Sequence, residues 1–396
     1  MTAGRPCTAQ PMTPRVRQSG AALPRAAAAY VAHRLDGSAA VLACIAAHEG
    51  ACSGLAFQRR AWLGPLYESL TVDLGATALA VCVTDANTGE LAVLAPLVIT
   101  RQGWLSVASW ASLGVSDYGA PLLGPKSPTA VRDAAAMWSA VKGALKGCDV
   151  IQLSNMPPEI DGRPNPFALL KGGLPSRHAS HALTLTGTVE AFLVSRGKKY
   201  RKEAERCTRL LAEKGTPEFR RATTAAEITE AYATLQAQQR QRHLAHASNY
   251  QLDQPAYANF FDTALHAGSP IRTAHIFTLK ADGETGAVLY GISHGTTFTL
   301  LRISTAGESW KRVSPGRLIV LDTMRYFLAH GITTFDMGIG DYDFKHGFGV
   351  EARALADVVA VLSLRGLPRA AVAHAKAKAR QHPRLVDAAK WVMGRS

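Results

Sequence analysis

The chain has 396 residues, 47% hydrophobic and 19% charged, enough for two domains of ordinary size, each with its own core. No stretch of 18 consecutive apolar residues occurs, so no membrane-spanning helix is expected, and residues 1–34 lack the hydrophobic run of a secretory signal. The net charge of +14 sits at the ends: residues 1–35 carry +5 and residues 366–396 carry +6, leaving +3 for the body, which weakens any reading as a nucleic-acid groove.

In chain order, residues 1–50 read as a basic tail, rich in Pro, Ala and Arg near its start and mostly disordered. Removal of residues 1–35 is therefore expected to leave the fold intact. A first unit follows over residues 51–178. It offers a helix at 57–70, strands at 77–85, 91–100 and 104–111, a loop, a helix at about 130–145 and a strand at 149–155. The Pro- and Gly-rich segment 156–178 reads as a linker. The second unit, residues 179–350, begins with a basic helix ended by Gly215 and a further helix over about 225–243. Three strands at 272–280, 285–295 and 297–304 come next, then a loop, a helix to His330 and a strand at 332–338. Residues 351–396 form a basic strand and helix tail, the candidate for contact with an anionic membrane surface.

Both units thus show helix, three-strand meander, loop, helix, strand, without similarity of residues. The fold class is α/β (α+β), two halves, each a mixed, mainly antiparallel sheet flanked by helices. Six cysteines, Cys7, Cys44, Cys52, Cys82, Cys148 and Cys207, form no CxxC and no metal-ligand spacing. No metal is expected, and reduced thiols suit a cytoplasmic protein.

The segment "VSPGR", Val313 to Arg317, opens the long helix of the second half. Pro315 suits a first helical turn and Gly316 admits close approach of a bulky group. The N–H groups of a helix start lack intrahelical partners and carry partial positive charge, so the turn suits a phosphate. It is neither GxxxxGKS nor GxGxxG, so the ATP and dinucleotide motifs are absent.

A meander, an anion-binding turn, a helix and a strand resemble the cofactor half of the GNAT acyltransferase fold. "SDYGAPLL", "AFLVSRGKKYRKEAERCTRLLAEKG", "ASNYQLDQPAYANFF" and "VSPGRLIVLDTMRYFLAHGITTFDMGIGD" resemble the CelD-type (cellulose-biosynthesis) acetyltransferases, related to FemAB-type enzymes with two GNAT-like halves. The resemblance covers residues 56–349. It implies that Val313, Ser314, Pro315, Gly316, Arg317 and Leu318 hold the pyrophosphate of acetyl-CoA or another acyl-CoA, and that the first half shapes the acceptor cleft. Asp117 in the matching loop of the first half would repel a diphosphate. The acceptor implied is a small molecule, sugar or cell-envelope precursor.

Acyl transfer from a thioester needs a base, an acid and an oxyanion donor. Asp336 and His294, both placed at strand ends, are the candidate bases, and Tyr342 a candidate acid. Related sequences carry Tyr-Lys after "GIGD"; here the pair is Phe344-Lys345, which removes that hydroxyl. Lys345 is a candidate for an acidic acceptor or a CoA phosphate. Tyr250, Asp253, Tyr257 and Arg242 are candidates for the acceptor side. Two rivals remain open: a FemAB-like transferase using aminoacyl-tRNA through the basic 196–221 segment, and a non-catalytic partner in polysaccharide synthesis.

Overall fold

The computed structural model describes residues 29–381. Its first half contains β1 (Tyr30–Asp36), α1 (Ser38–His48) and α2 (Arg60–Pro65), which continues through a π-helical turn (Leu66–Leu70) into α3 (Thr71–Asp73). Then come β2 (Thr77–Asp85), β3 (Leu91–Gln102), β4 (Leu105–Trp110), β5 (Leu122–Leu123), α4 (Val131–Ala144) and β6 (Val150–Met156). A small hairpin, β7 (Glu159–Ile160) and β8 (Arg163–Pro164), and the long β9 (Leu174–Thr184) follow. The second half has α5 (Val189–Ser195), α6 (Lys198–Lys214), β10 (Pro217–Arg221), α7 (Ala225–Ala245), α8 (Pro255–Gly268), β11 (Ala274–Ala281), β12 (Glu284–His294) and β13 (Thr297–Thr305). It closes with α9 (Pro315–Leu328), β14 (Thr334–Ile339), α10 (Asp343–Phe348), β15 (Glu351–Val361) and α11 (Leu367–Gln381).

One mixed, mainly antiparallel sheet runs through both halves in the order β1-β2-β3-β4-β6-β15-β9-β14-β13-β12-β11-β10. Its parallel pairs are β4 with β6 and β13 with β14, the same place in each half. The two halves exchange their last strands. β9 follows β6 in the chain but pairs with β14, while β15 follows β14 but pairs with β6; β9 and β15 then pair with each other.

This exchange corrects two expectations. Residues 156–178 are not a plain linker, because they hold the small hairpin and the start of β9. Residues 351–361 are not a tail, because β15 lies in the middle of the sheet. The 1–50 tail is also corrected. Tyr30–Asp36 pairs antiparallel with all but the first two residues of Thr77–Asp85 from its own register, Tyr30 opposite Asp85 through Asp36 opposite Leu79, and α1 buries Val41, Leu42 and Ile45. Alternating Val31, His33 and Leu35 with small or polar residues is a strand period that the Ala-rich context hides. Residues 1–28 lie outside the described part, as do 382–396 of the C-terminal tail. The single basic helix expected before Gly215 is two helices, α5 and α6, broken at Gly197, whose φ of 88° favours glycine.

One apolar cluster lies between the helical layers of the two halves on one face of the sheet. It joins Leu94 and Val98 of β3 to Tyr290 and Ile292 of β12, with Trp62 of α2 edge-on to Phe260 of α8 at 4.9 Å. The opposite face carries two separate cores, one under α4 and one under α6 and α9.

Candidate functional site

β13 and β14 pair only over Thr297–Thr299 and Thr334–Asp336 before they part. A cleft of about 760 Å³ opens against the later part of β13 and the start of α9. Ile303, Ser304 and Thr305 form one wall, Ser314, Pro315, Gly316 and Arg317 another, and Phe344 and Phe348 of α10 close it. Ser314 sits at the N-cap of α9 with φ 52°, and its side chain makes no capping bond. A helix start left uncapped by side chains therefore borders the cleft, which is the condition for binding an anion. Gly316 packs closely on β13, since a Cβ there would stand 3.1 Å from Thr305 Cγ2.

Of the six residues expected around the phosphate, Ser314, Pro315, Gly316 and Arg317 line the cleft. Val313 and Leu318 do not; both are buried in the core under α9. Arg317 is partly engaged, 3.5 Å from Glu203 and stacked over Tyr200. Arg242 of α7 also lines the cleft, the one acceptor-side candidate that does. Tyr250 is buried, donating to Gln239 Oε1 at 3.1 Å, and Asp253 pairs with Arg240 at 2.7 Å. Tyr257 is half-buried in α8, beside Gly114 of the first half.

The other assignments change more. His294 closes β12 opposite Thr297, whereas the cleft lies where Ala287 faces Thr305. Seven residues of strand, about 23 Å by strand rise, separate the two places. His294 is held below its usual value first by burial and then by Arg59, so it is neutral and remote from the cleft. Tyr342 is 59% exposed at the N-cap of α10 and does not line the cleft. Lys345 is neither a surface lysine nor a phosphate ligand. It is 2% exposed, and its Nζ donates to the carbonyls of Gly338, Ile339 and Gly340 at 3.1, 2.8 and 2.9 Å.

Those three carbonyls belong to the bend that ends β14, and two carboxylates grip the same bend. Asp336 is 7% exposed and does not line the cleft; its Oδ1 accepts from Tyr118 Oη at 2.9 Å and from the Gly338 N–H at 2.8 Å. Asp117 Oδ2 accepts from the Ile339 N–H at 3.2 Å, a bond between the two halves. Burial pushes Asp336 up to about 7 and Asp117 up to about 6, and the two charges oppose each other. Asp117 is only half-buried and opens on a second, polar cavity of about 210 Å³. The reading of the sequence above gives Asp117 only the part of repelling a diphosphate and gives Tyr118 none, although both lie in "SDYGAPLL". Only the strand exchange brings that loop to β14. Among the described residues no cluster of three or more His, Cys, Asp or Glu could hold a metal ion.

The two halves share one arrangement, a mixed, mainly antiparallel sheet flanked by helices with its one parallel pair in the same place. Residues 198–346 match the family described as "Acetyltransferase (GNAT) domain", and the matched segment includes the cleft's turn, Asp336 and Lys345. Among solved structures, the chain is similar to FemX, at 13% identity and a TM-score of 0.54, covering 82% of this chain and 96% of that one. It is also similar to the C-terminal domain of a putative lysylphosphatidylglycerol synthetase from Agrobacterium fabrum, at 12% identity and a TM-score of 0.50, covering 85% and 96%. At these identities the likeness is one of fold. No curated protein sequence matches the chain.

Proposed function

We propose that the protein is an acyl-CoA-dependent N- or O-acyltransferase, of the kind its sequence resembles among CelD-type enzymes. The observation that carries this reading is the start of α9, free of a side-chain cap, on a cleft of about 760 Å³, inside the segment that matches the GNAT family. The diphosphate of CoA would meet Ser314, Gly316 and Arg317, with Arg242 across the cleft, and the pantetheine arm would lie along β13. The acceptor nitrogen or oxygen attacks the thioester carbon, the carbon–sulfur bond breaks, and the CoA thiolate takes up a proton. The protein's part is mainly to position the two reactants and to receive the acceptor's proton. For that proton Asp117 is better placed than Asp336. Both have raised values suited to a base near neutral pH, but Asp117 opens on a cavity and Asp336 is closed in by Tyr118 and Gly338.

An aminoacyl-tRNA donor fits less well. It would need the charges of α6 free for RNA, yet Arg201, Arg206 and Arg209 pair with Glu205, Glu203 and Glu213 of the same helix. Calorimetric titration with acetyl-CoA and, separately, with aminoacylated tRNA tests the choice. Acetyl-CoA is expected to bind, and Gly316→Glu to weaken it at least 100-fold, because Thr305 leaves the new side chain only the cleft. Wild-type protein that ignores acetyl-CoA, or a folded Gly316→Glu protein with unchanged affinity, would overturn the reading.

A further inference from the structure

The V between β13 and β14 has a counterpart in the first half. β4 and β6 pair over Val107–Ser109 and Val150–Gln152, then part in the same way, and the polar cavity beside Asp117 lies there. Ser109, Ser112, Ser116, Gln152, Ser154 and Asn155 line it, all half-buried. Among the described residues the hydroxyls of Ser109, Ser112 and Ser154 make no hydrogen bond within the protein, unlike Ser116, which accepts from Trp62 Nε1 at 2.8 Å. Trp110 forms part of the wall, and its buried indole N–H has no partner. Hydroxyls and amides both donate and accept, so this lining suits a ligand that also does both. Trp110 itself is 4% exposed and packed edge-on to Phe167 in the core, so what the lining offers a sugar-like ligand is a ring of amphoteric polar groups.

Gln152 and Ser154 are shared with a neighbouring cavity of about 420 Å³ between β4, β6, β15 and α11. The character changes there. Arg369, Lys376 and Arg380 of α11 line it, and among the described residues none of the three has a carboxylate partner. Arg369 donates only to Gln152 Oε1, at 3.1 and 2.9 Å, and Arg380 to the Pro175 carbonyl at 3.3 Å. The single carboxylate in the lining, Asp357, accepts the Asn155 N–H at 2.9 Å. The joined groove therefore runs from a carboxylate, Asp117, to three cations. From Ser109 to Leu105 it follows four residues of β4, about 13 Å by strand rise.

We propose that this groove is the acceptor site, and that the acceptor is a sugar-like amine or alcohol carrying an anionic group such as a phosphate monoester. Its reactive nitrogen or oxygen lies at Asp117, its ring among the serines and Gln152, and its anion at α11. This deepens the acyltransfer reading and rests on it, because it gives Asp117 the proton to receive.

The test is calorimetry on the full chain without any acyl donor, using glucosamine 6-phosphate, glucosamine and inorganic phosphate. Glucosamine 6-phosphate is expected to bind at least tenfold more tightly than either of the others. Lys376→Glu with Arg380→Glu should remove that advantage and leave the affinity for glucosamine itself unchanged. Ser154→Leu, which fills the shared part of the groove, should weaken glucosamine 6-phosphate at least tenfold. Circular dichroism confirms that each variant is folded, and acetyl-CoA should bind all of them as it binds the wild type. Equal binding of glucosamine 6-phosphate and phosphate would reduce the groove to an anion patch and overturn the proposal. So would no binding of glucosamine 6-phosphate, or indifference to Ser154→Leu. Because no donor is present, failure of acetyl-CoA to bind would count against the acyltransfer reading alone.

Discussion

Asp336 is a carboxylate that folding makes less acidic. Its value rises from 3.8 to about 7, chiefly because burial disfavours the charge. Between about pH 4 and pH 7 the folded chain holds a proton that the unfolded chain has lost. Stability therefore falls as pH rises through that window and levels off above it. Asp336→Asn cannot ionise, and its amide oxygen can still accept from Tyr118 and Gly338. It should flatten this slope and raise the stability at pH 8 by an amount on the order of 1–4 kcal/mol. Denaturation curves at pH 5 and pH 8 check it; an unchanged slope would show that the carboxylate is not charged by pH 8. The two acids should also separate in catalysis. Asp117→Asn is expected to lower the transfer rate about 10²–10⁴-fold, the range of a lost general base. Asp336→Asn should cost less than tenfold if it positions the bend and takes no proton. The reverse order would return the role of base to Asp336. Lys345 is the matching cation, and Lys345→Met leaves three carbonyls and two raised carboxylates without it. A loss of roughly 2–4 kcal/mol is expected, read as a lower urea midpoint with the slope retained.

The end of β14 is the element on which the site turns. Gly338 has φ 74°, and a Cβ there would run into the Asp117 carboxylate. Gly338→Ala should therefore both strain the backbone and push the two halves apart at the Asp117–Ile339 bond. We expect a loss of about 2–4 kcal/mol and a fall in acyl transfer larger than the fall in acetyl-CoA affinity. A variant with wild-type stability and rate would mean that the bend is not rigid. Local patterns revealed the meanders well: the strand expected at 77–85 coincides with β2, and that at 91–100 falls within β3, because alternating and β-branched residues mark them. They also revealed the turn before α9, since Pro and Gly have local causes. They hid β9, and they gave residues 351–396 a strand without its place in the sheet, because β9 and β15 are fixed by pairing with each other and with β14 and β6, far away in the chain. The cavity beside Asp117 was hidden for the same reason. No local signal says that a loop of the first half will touch β14.

At the scale of the whole molecule, the exchange of β9 and β15 decides whether the two halves are separable. The family match ends at residue 346, which on its face makes residues 198–346 a self-sufficient unit. The sheet argues otherwise. β14 pairs on one side with β9, from the end of the first half, and β6 pairs with β15, from beyond the matched region. The apolar cluster joining Leu94 and Val98 to Tyr290 and Ile292 adds a shared core on one face. Removing β1 with residues 1–35 would expose only the outer edge of β2, and should lower the melting temperature while leaving one transition. Ending the chain at Gly349 is a different injury. It removes the strand between β6 and β9, so both halves lose a ladder in the middle of the sheet, and the buried Leu355 and Val358 leave two cores. Unpaired interior N–H and C=O groups cost far more than an exposed edge. The full chain should therefore unfold in one calorimetric transition, and a chain of residues 29–349 should lack the near-ultraviolet circular dichroism of a packed core. Two separate transitions in the full chain would show that the halves are independent despite the exchange. So would a shortened chain that melts within a few degrees of the intact protein.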